Sequence, residues 1–183
     1  IVSVLGESAE ELTRMAKALD GADGVAALEL NLSCPNLRRN ADCGLRNADL
    51  KDRQSEIHIP KSTFPMMVAQ DPDATAAMVQ AARRETRKPI LAKLSPDVTD
   101  LVPIAQAAER AGADALTLGN TFVGMSLDPA TRRSRLGALT GGLSGPAIRP
   151  LAVYRVWYTA RSVSIPLIGL GGIVRAEDAL EFF

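Results

Sequence analysis

The feature that most constrains this chain is a repeated alternation of short β-rich segments with helical segments. Five such units follow one another along the sequence. Strict alternation of this kind predicts a parallel sheet with helices packed outside it. Two architectures satisfy the pattern, an open doubly wound sheet and a (β/α)8 barrel.

The barrel is the favoured architecture. A doubly wound dinucleotide-binding sheet carries Gly-x-Gly-x-x-Gly after its first strand, and this chain has no such motif. Five units do not close an eight-stranded barrel, so we expect residues 1–183 to form an incomplete (β/α)8 barrel domain that belongs to a longer protein. Residues 37–67 interrupt the alternation, and a connection of that length predicts an inserted loop over the mouth of the barrel.

Composition excludes several classes of function. The 183 residues are 46% hydrophobic, which is enough for one core, and the net charge of zero disfavours nucleic-acid binding. No apolar run approaches the roughly 20 residues that cross a bilayer, so no membrane span is expected. Two cysteines are too few for a disulfide framework and favour a cytoplasmic setting. With one histidine and no Cys-x-x-Cys, no metal site is expected.

Helix signals lie in front of each predicted helix. Ser8 and Asp71 are predicted to cap the first and second helices, and Asp97 or Thr99 the third. A fourth helix is predicted over residues 147–161. Its expected core contacts are Ile148, Leu151, Val156 and Trp157.

The most informative segment is residues 29–36, which begins in the second predicted strand and breaks at Pro35. It brings the carboxamides of Asn31 and Asn36 close to the thiol of Cys34, the group in this segment that can lose a proton near neutral pH. Such a group suits a flat ligand with amide and carbonyl edges, next to one proton transfer. A strand-end cysteine is also common as an inert buried residue, so the residues alone leave both interpretations open.

Other polar residues follow the later strands. Lys93 is either a lysine that extends to the rim or a fixed cation for an electron-rich ring. Asn120 and Thr121 form either a plain turn or a further amide in the same cavity. Gly145 precedes one predicted helix, and Gly171 with Gly172 precedes another. Glycine loops at helix N-termini on neighbouring late strands predict a phosphorylated cofactor.

These motifs together resemble the dihydroorotate dehydrogenase family, in particular the catalytic subunit of the class 1B enzymes. The resemblance rests on residues 31–36 (NLSCPN), 92–96 (AKLSP), 120–121 (NT), 140–147 (TGGLSGPA) and 168–173 (IGLGGI). It implies oxidation of dihydroorotate to orotate in UMP biosynthesis, with FMN as the hydride acceptor. It also implies a homo-oligomer, and a partner subunit that carries FAD and a 2Fe–2S cluster and passes electrons to NAD.

The resemblance assigns roles to individual residues. Cys34 corresponds to the catalytic base, and Asn31, Asn36, Asn120 and Thr121 correspond to pyrimidine-binding residues. Lys93, Gly145, Gly171 and Gly172 correspond to residues that contact FMN. Two alternatives remain: a related flavin barrel acting on another pyrimidine, as in dihydropyrimidine dehydrogenase, or a segment with no activity on its own.

Overall fold

The computed structural model describes residues 1–6, 8–33, 67–137 and 139–183. The helices in these ranges are α1 (Ala9–Asp20), α2 (Pro72–Arg83), α3 (Val102–Arg110), α4 (Arg149–Ala160) and α5 (Ala176–Leu180). The strands are β1 (Val2–Val4), β2 (Leu28–Asn31), β3 (Ile90–Leu94), β4 (Ala115–Leu118), β5 (Phe122–Gly124), β6 (Leu127–Asp128), β7 (Arg133–Ser134), β8 (Gly141–Leu143) and β9 (Leu167–Gly169). Two 3-10 turns, Val68–Gln70 and Pro146–Ile148, precede α2 and α4.

One parallel sheet organises the described part of the chain. Its strands lie in the order β1, β2, β3, β4, β9, and every neighbouring pair is parallel. A doubly wound sheet reverses its strand order at a switch point, whereas this order runs in one direction. The sheet is therefore a segment of an α/β barrel, as predicted. Between β4 and β9 the chain forms two antiparallel ribbons, β5 with β8 and β6 with β7.

Local capping explains where the first helices begin. The Ser8 hydroxyl accepts a hydrogen bond from the backbone N–H of Glu11 at 3.2 Å, and the Asp71 carboxylate accepts one from Ala74 at 2.8 Å. Each bond satisfies a backbone donor that has no partner within the helix. Both predicted caps are confirmed.

The predicted caps of α3 are wrong. The N-cap residue is Leu101, and Asp100 accepts the hydrogen bond from the first backbone N–H of the helix at 3.0 Å. Asp97 instead accepts a hydrogen bond from the backbone N–H of Val123 in β5, also at 3.0 Å. Its carboxylate therefore ties the antiparallel ribbon to the loop after β3, a long-range contact that local spacing does not reveal.

The core lies between one face of the sheet and the helices. Because side chains alternate across a strand, every second residue faces the helices. The large strand residues that are fully buried there are Leu28, Leu30, Ile90, Leu94, Leu116 and Leu118. Leu12, Val79 and Ile104 cover them from α1, α2 and α3. Burial of each of these side chains contributes roughly 1.5–3 kcal/mol, which makes this face the main source of stability.

Helix α4 contributes a narrower apolar stripe than its sequence suggests. Ile148 and Val156 are buried, as predicted. Leu151 and Trp157 are 49% and 56% exposed, so their predicted core contacts are wrong. The buried stripe follows the spacing Ile148, Ala152, Val156, and residues between those positions lie on another side of the helix.

The opposite face of the sheet carries most of its polar side chains and forms the inner side of the barrel segment. It carries Ser3, Glu29, Asn31, Lys93 and Thr117. Asn31 of β2 is in register with Lys93 of β3, which is in register with Thr117 of β4. The carboxyl ends of these strands, where functional residues of α/β barrels lie, therefore present a row of polar side chains.

Candidate functional site

The end of β2 is held in place by its own side chains. The Asn31 carboxamide oxygen accepts hydrogen bonds from the backbone N–H of Ser33 at 3.3 Å and from the Ser33 hydroxyl at 3.4 Å. Ser33 is 1% exposed. The residues that follow it, including the predicted base Cys34, the predicted ligand residue Asn36 and nearly all of the 37–67 loop, lie outside the described residues.

Asn120, which follows β4, forms hydrogen bonds across β3 to Ser33 at the end of β2. Its amide nitrogen donates to the Ser33 carbonyl at 2.9 Å and to the Ser33 hydroxyl at 2.5 Å, and its oxygen accepts from the backbone N–H of Thr121 at 2.9 Å. The Ser33 hydroxyl thus accepts from Asn120 and donates to Asn31. The structure brings Asn31, Asn120 and Thr121 together around the residue that precedes Cys34.

Two glycines permit this close approach. Gly119 has φ +135°, and a Cβ there would collide with the Leu170 carbonyl oxygen. A Cβ on Gly142 would lie 2.5 Å from the Cβ of Thr121. Side chains at either position would move the Asn120–Thr121 turn away from the end of β2.

Lys93 lies between Asn31 and Thr117 on the polar inner face. Its side chain is partly buried. Among the described residues, its ammonium has no hydrogen-bond or ion-pair partner. A partly buried cation without a partner in the protein is suited to an electron-rich or anionic ligand.

Glu29 is a residue of this face that sequence reasoning missed. Its two carboxylate oxygens accept hydrogen bonds from the hydroxyls of Ser3 at 3.0 Å and Thr117 at 2.9 Å. The available signal was a charged residue at the centre of an apolar strand, flanked by the buried Leu28 and Leu30. Ser33 was missed for a different reason, because its partner Asn120 lies 87 residues later.

The two predicted glycine loops come together at the N-terminus of α4. A Cβ on Gly172 would lie 2.8 Å from the backbone nitrogen of Arg149 and 2.9 Å from the Gly145 carbonyl oxygen. A Cβ on Gly171 would lie 3.2 Å from that of Ala152. All three glycines have φ between +73° and +126°, which L side chains rarely adopt. They form a tight cradle at a helix N-terminus, the geometry that binds phosphate groups.

Arg149, whose backbone borders this cradle, has its charge paired with two carboxylates. Its guanidinium forms ion pairs with Asp178 at 2.5 Å and Glu181 at 3.4 Å. The backbone N–H groups of Val174 and Arg175 donate to the Asp178 carboxylate and, together with Arg149, lower the pKa of Asp178 below its ordinary value of 3.8. This network fixes the start of α5 against α4, and it already engages the Arg149 guanidinium.

Residues 1–6, 8–33, 67–137 and 139–183 contain no group of three or more His, Cys, Asp or Glu side chains that could hold a metal ion. In these ranges no helix is both long and apolar enough to span a membrane.

A comparison with protein families decides the classification. The family model described as dihydroorotate dehydrogenase matches residues 1–183. This chain belongs to the dihydroorotate dehydrogenase family. The family membership expected from the five sequence motifs is confirmed.

Individual members of the dihydroorotate dehydrogenase family match over the whole chain. The catalytic subunit of dihydroorotate dehydrogenase B (NAD(+)) from Desulforudis audaxviator is 48% identical over 182 residues, and that from Pelobacter propionicus is 43% identical. Each alignment covers 100% of this chain and 52% of the relative. The chain therefore spans about half the length of the curated relatives that it matches.

Solved structures of the family share the fold. Dihydroorotate dehydrogenase from Eimeria tenella without ligand has a TM-score of 0.61 at 23% identity, covering 96% of this chain and 47% of that one. Its complex with ferulenol has a TM-score of 0.57 at 24% identity, covering 95% and 44%. At such identity the similarity establishes the barrel architecture and leaves the roles of individual residues as predictions.

Proposed function

We propose that the full-length protein oxidises dihydroorotate to orotate in UMP biosynthesis, with FMN as its hydride acceptor. The observation that carries the proposal is the single polar edge formed by Asn31, Lys93 and Asn120, next to the glycine cradle on the following strand. The two relatives described above are named as catalytic subunits of dihydroorotate dehydrogenase B, which supports the same assignment.

At the substrate end, Cys34 is proposed as the base that removes a proton from ring carbon 5 of dihydroorotate. The Ser33 peptide in front of it is fixed by hydrogen bonds to Asn31 and Asn120. A base is effective when it is held within hydrogen-bond distance of the proton that it removes. Asn31, Asn36, Asn120 and Thr121 are proposed to hold the pyrimidine. The amide nitrogen of Asn120 already bonds to Ser33, so Asn120 also orders the start of the Cys34 loop.

At the cofactor end, the residues present fit FMN. The cradle of Gly145, Gly171 and Gly172 would bind the phosphate, because side chains there would block the approach to the N-terminus of α4. Lys93, a cation without a protein partner in the described residues, would lie against the flavin ring. When bound, FMN supplies the acceptor for the hydride from ring carbon 6. Lys93 would then stabilise the negative charge that develops on the reduced ring.

The electron acceptor is proposed to be a partner subunit that carries FAD and a 2Fe–2S cluster and that reduces NAD. The relatives' names contain both NAD(+) and "catalytic subunit". A 2Fe–2S cluster takes four cysteine ligands, and this chain has two cysteines, so a cluster would have to lie elsewhere. We further propose that the protein is a cytoplasmic homo-oligomer.

Purification of the full-length protein tests the proposal directly. We expect a yellow protein with an oxidised flavin spectrum that dihydroorotate bleaches under anaerobic conditions, while dihydrouracil does not. Cys34→Ala should retain the spectrum and lose bleaching by about 100- to 10,000-fold in rate, the usual contribution of a general base. A folded protein that binds no flavin, or one that dihydrouracil alone reduces, would contradict the proposal.

A further inference from the structure

We propose that Glu29 is a positioning residue, and that its capture by the Ser3 and Thr117 hydroxyls keeps the Lys93 ammonium free for the flavin ring. This inference rests on the proposed function, since it concerns the same cofactor end of the inner face. Glu29 is not among the site residues predicted from the sequence.

The Glu29 carboxylate lies between two hydroxyl donors. One oxygen accepts from Ser3 in β1, and the other accepts from Thr117 in β4, so the hydrogen bonds extend from β1 through β2 and across β3 to β4. Thr117 is 1% exposed, which fixes its side chain by packing. The carboxylate is therefore fixed between Ser3, at its own register level, and Thr117, which is two register positions further along the sheet and level with Lys93.

Lys93 is the cation nearest to Glu29 in the strand register. Glu29 is in register with Leu91, and Lys93 lies two residues further along the same strand on the same face. A strand spacing of about 4.8 Å and a rise of about 3.3 Å per residue place the two Cα atoms about 8 Å apart. The flexible four-carbon stem of lysine can span that separation, and opposite charges in a partly buried site attract strongly.

The two groups nevertheless form no ion pair within 4.0 Å, although both lie in the described part of the chain. The two hydroxyls account for this separation: Ser3 fixes one oxygen on the β1 side and Thr117 fixes the other at its own hydroxyl in β4, so neither oxygen is free to move onto the Lys93 ammonium. A second bridge, from Asn120 to Ser33, lies nearer the strand ends. Lys93 thus extends from β3 between two cross-strand bridges, with its cation available to a ligand.

Substitutions of Thr117 and Glu29 should therefore change the reduction of the bound flavin in different ways. Loss of the Thr117 hydroxyl frees one oxygen of Glu29, which can then pair with Lys93 and remove its charge from the flavin ring. The reduced flavin would lose stabilisation, so the flavin would become harder to reduce. Replacement of Glu29 by Gln keeps the size and hydrogen bonding of the side chain but has no charge to capture Lys93.

The test measures the reduction potential of bound FMN in full-length protein, by equilibration with a reference dye and without dihydroorotate. Thr117→Val should shift the ratio of oxidised to reduced flavin about tenfold towards the oxidised form, which is about 30 mV for a two-electron couple. Glu29→Gln combined with Thr117→Val should abolish that shift. An unchanged ratio in Thr117→Val, or an equal shift in the single and double variants, would overturn the inference.

Matched variants separate this effect from a loss of stability. Thr117→Ser retains the hydroxyl and should give the wild-type ratio. Thr159→Val removes a fully buried threonine hydroxyl on the other side of the sheet, which has no hydrogen-bond partner within the described part of the chain, and it should also leave the ratio unchanged. If Thr117→Val does not fold, Ser3→Ala frees the other oxygen of Glu29 instead. Ser3→Ala should then shift the flavin ratio towards the oxidised form, and an unchanged ratio would overturn the inference.

Failure of this inference is distinguishable from failure of the proposed function. One result is a protein that binds FMN and is reduced by dihydroorotate, but whose flavin reduction potential is unchanged by these substitutions. That result would support the proposed function and contradict the role of Glu29. A full-length protein that folds and binds no FMN would contradict the proposed function itself.

Discussion

The two faces of the sheet differ in what their side chains do, and adjacent residues of β4 illustrate the difference. Leu116 is fully buried beneath the helices, whereas Thr117 points to the inner face and donates its hydroxyl to Glu29. One face gains its free energy from apolar area removed from water. The other holds polar groups in a fixed arrangement, which contributes less to stability and more to ligand binding. The residues that stabilise the fold thus lie on one face, and the residues that we expect to bind ligands lie on the other.

The largest expected effect is on the helix-covered face. Leu116→Ala should lower the free energy of unfolding by about 2–5 kcal/mol, because it removes buried methyl groups and leaves a cavity. Chemical denaturation measures the change. The flavin spectrum of the variant that remains folded should match that of the wild type. A stability change below about 1 kcal/mol would remove the contrast between the faces.

Substitution of the inner-face lysine should show the reverse pattern. Lys93→Met should slow flavin reduction by dihydroorotate about 100- to 1,000-fold, the range for loss of one electrostatic stabiliser, with little change in melting temperature. The matched control is Lys88→Met. Lys88 donates to the carbonyl oxygens of Val25 at 2.7 Å and Ala22 at 3.4 Å, so its loss should lower stability and leave flavin reduction unchanged.

The glycine cradle links the two faces, since it joins the sheet to the start of α4. Gly172→Ala places a Cβ at φ +73°, against the backbone of Arg149. The strain should cost roughly 1–2 kcal/mol and weaken FMN binding at least tenfold. Titration of the apoprotein with FMN measures the affinity. Gly21→Ala, at φ −86° in open space, is the control and should leave both quantities nearly unchanged.

The smallest expected effect concerns the contact between α4 and α5. Folding lowers the pKa of Asp178, so its contribution to stability is present above its ordinary pKa of 3.8 and is lost as the pH falls through the folded value. Asp178→Asn should therefore lower the melting temperature at pH 7, and the difference from wild type should shrink below pH 3.8. As a control, substitution of the exposed Asp23 by Asn should leave the melting temperature at pH 7 nearly unchanged. A constant difference at all pH values would contradict this assignment.

Much of the fold could be predicted because its signals are local. Ser8 and Asp71 cap helices through bonds that span three residues, and strand alternation is readable within each segment. The errors arose where a distant partner decides the outcome. Asp97 bonds to Val123 instead of capping α3, and Trp157 lies outside a buried stripe that only the packing of α4 against the sheet defines.

The candidate site divides in the same way. Asn31, Lys93 and Asn120 could be found because each lies at a strand end, where parallel sheets collect functional groups. Glu29 and Thr117 could not be paired, since they are 88 residues apart and lie on strands that are not neighbours. The proposed roles of Cys34 and Asn36 depend on the family resemblance, because these two residues lie outside the described ranges.

The bond from Asn120 to Ser33 has a consequence for the order of assembly during synthesis. A ribosome that has just completed Ser33 must add 87 more residues before the partner of that serine exists. At about 5–20 residues per second, the stem of the proposed catalytic loop stays untethered for several seconds in the nascent chain. Ser33 therefore acquires this partner late, after α2, β3, α3 and β4 have been translated.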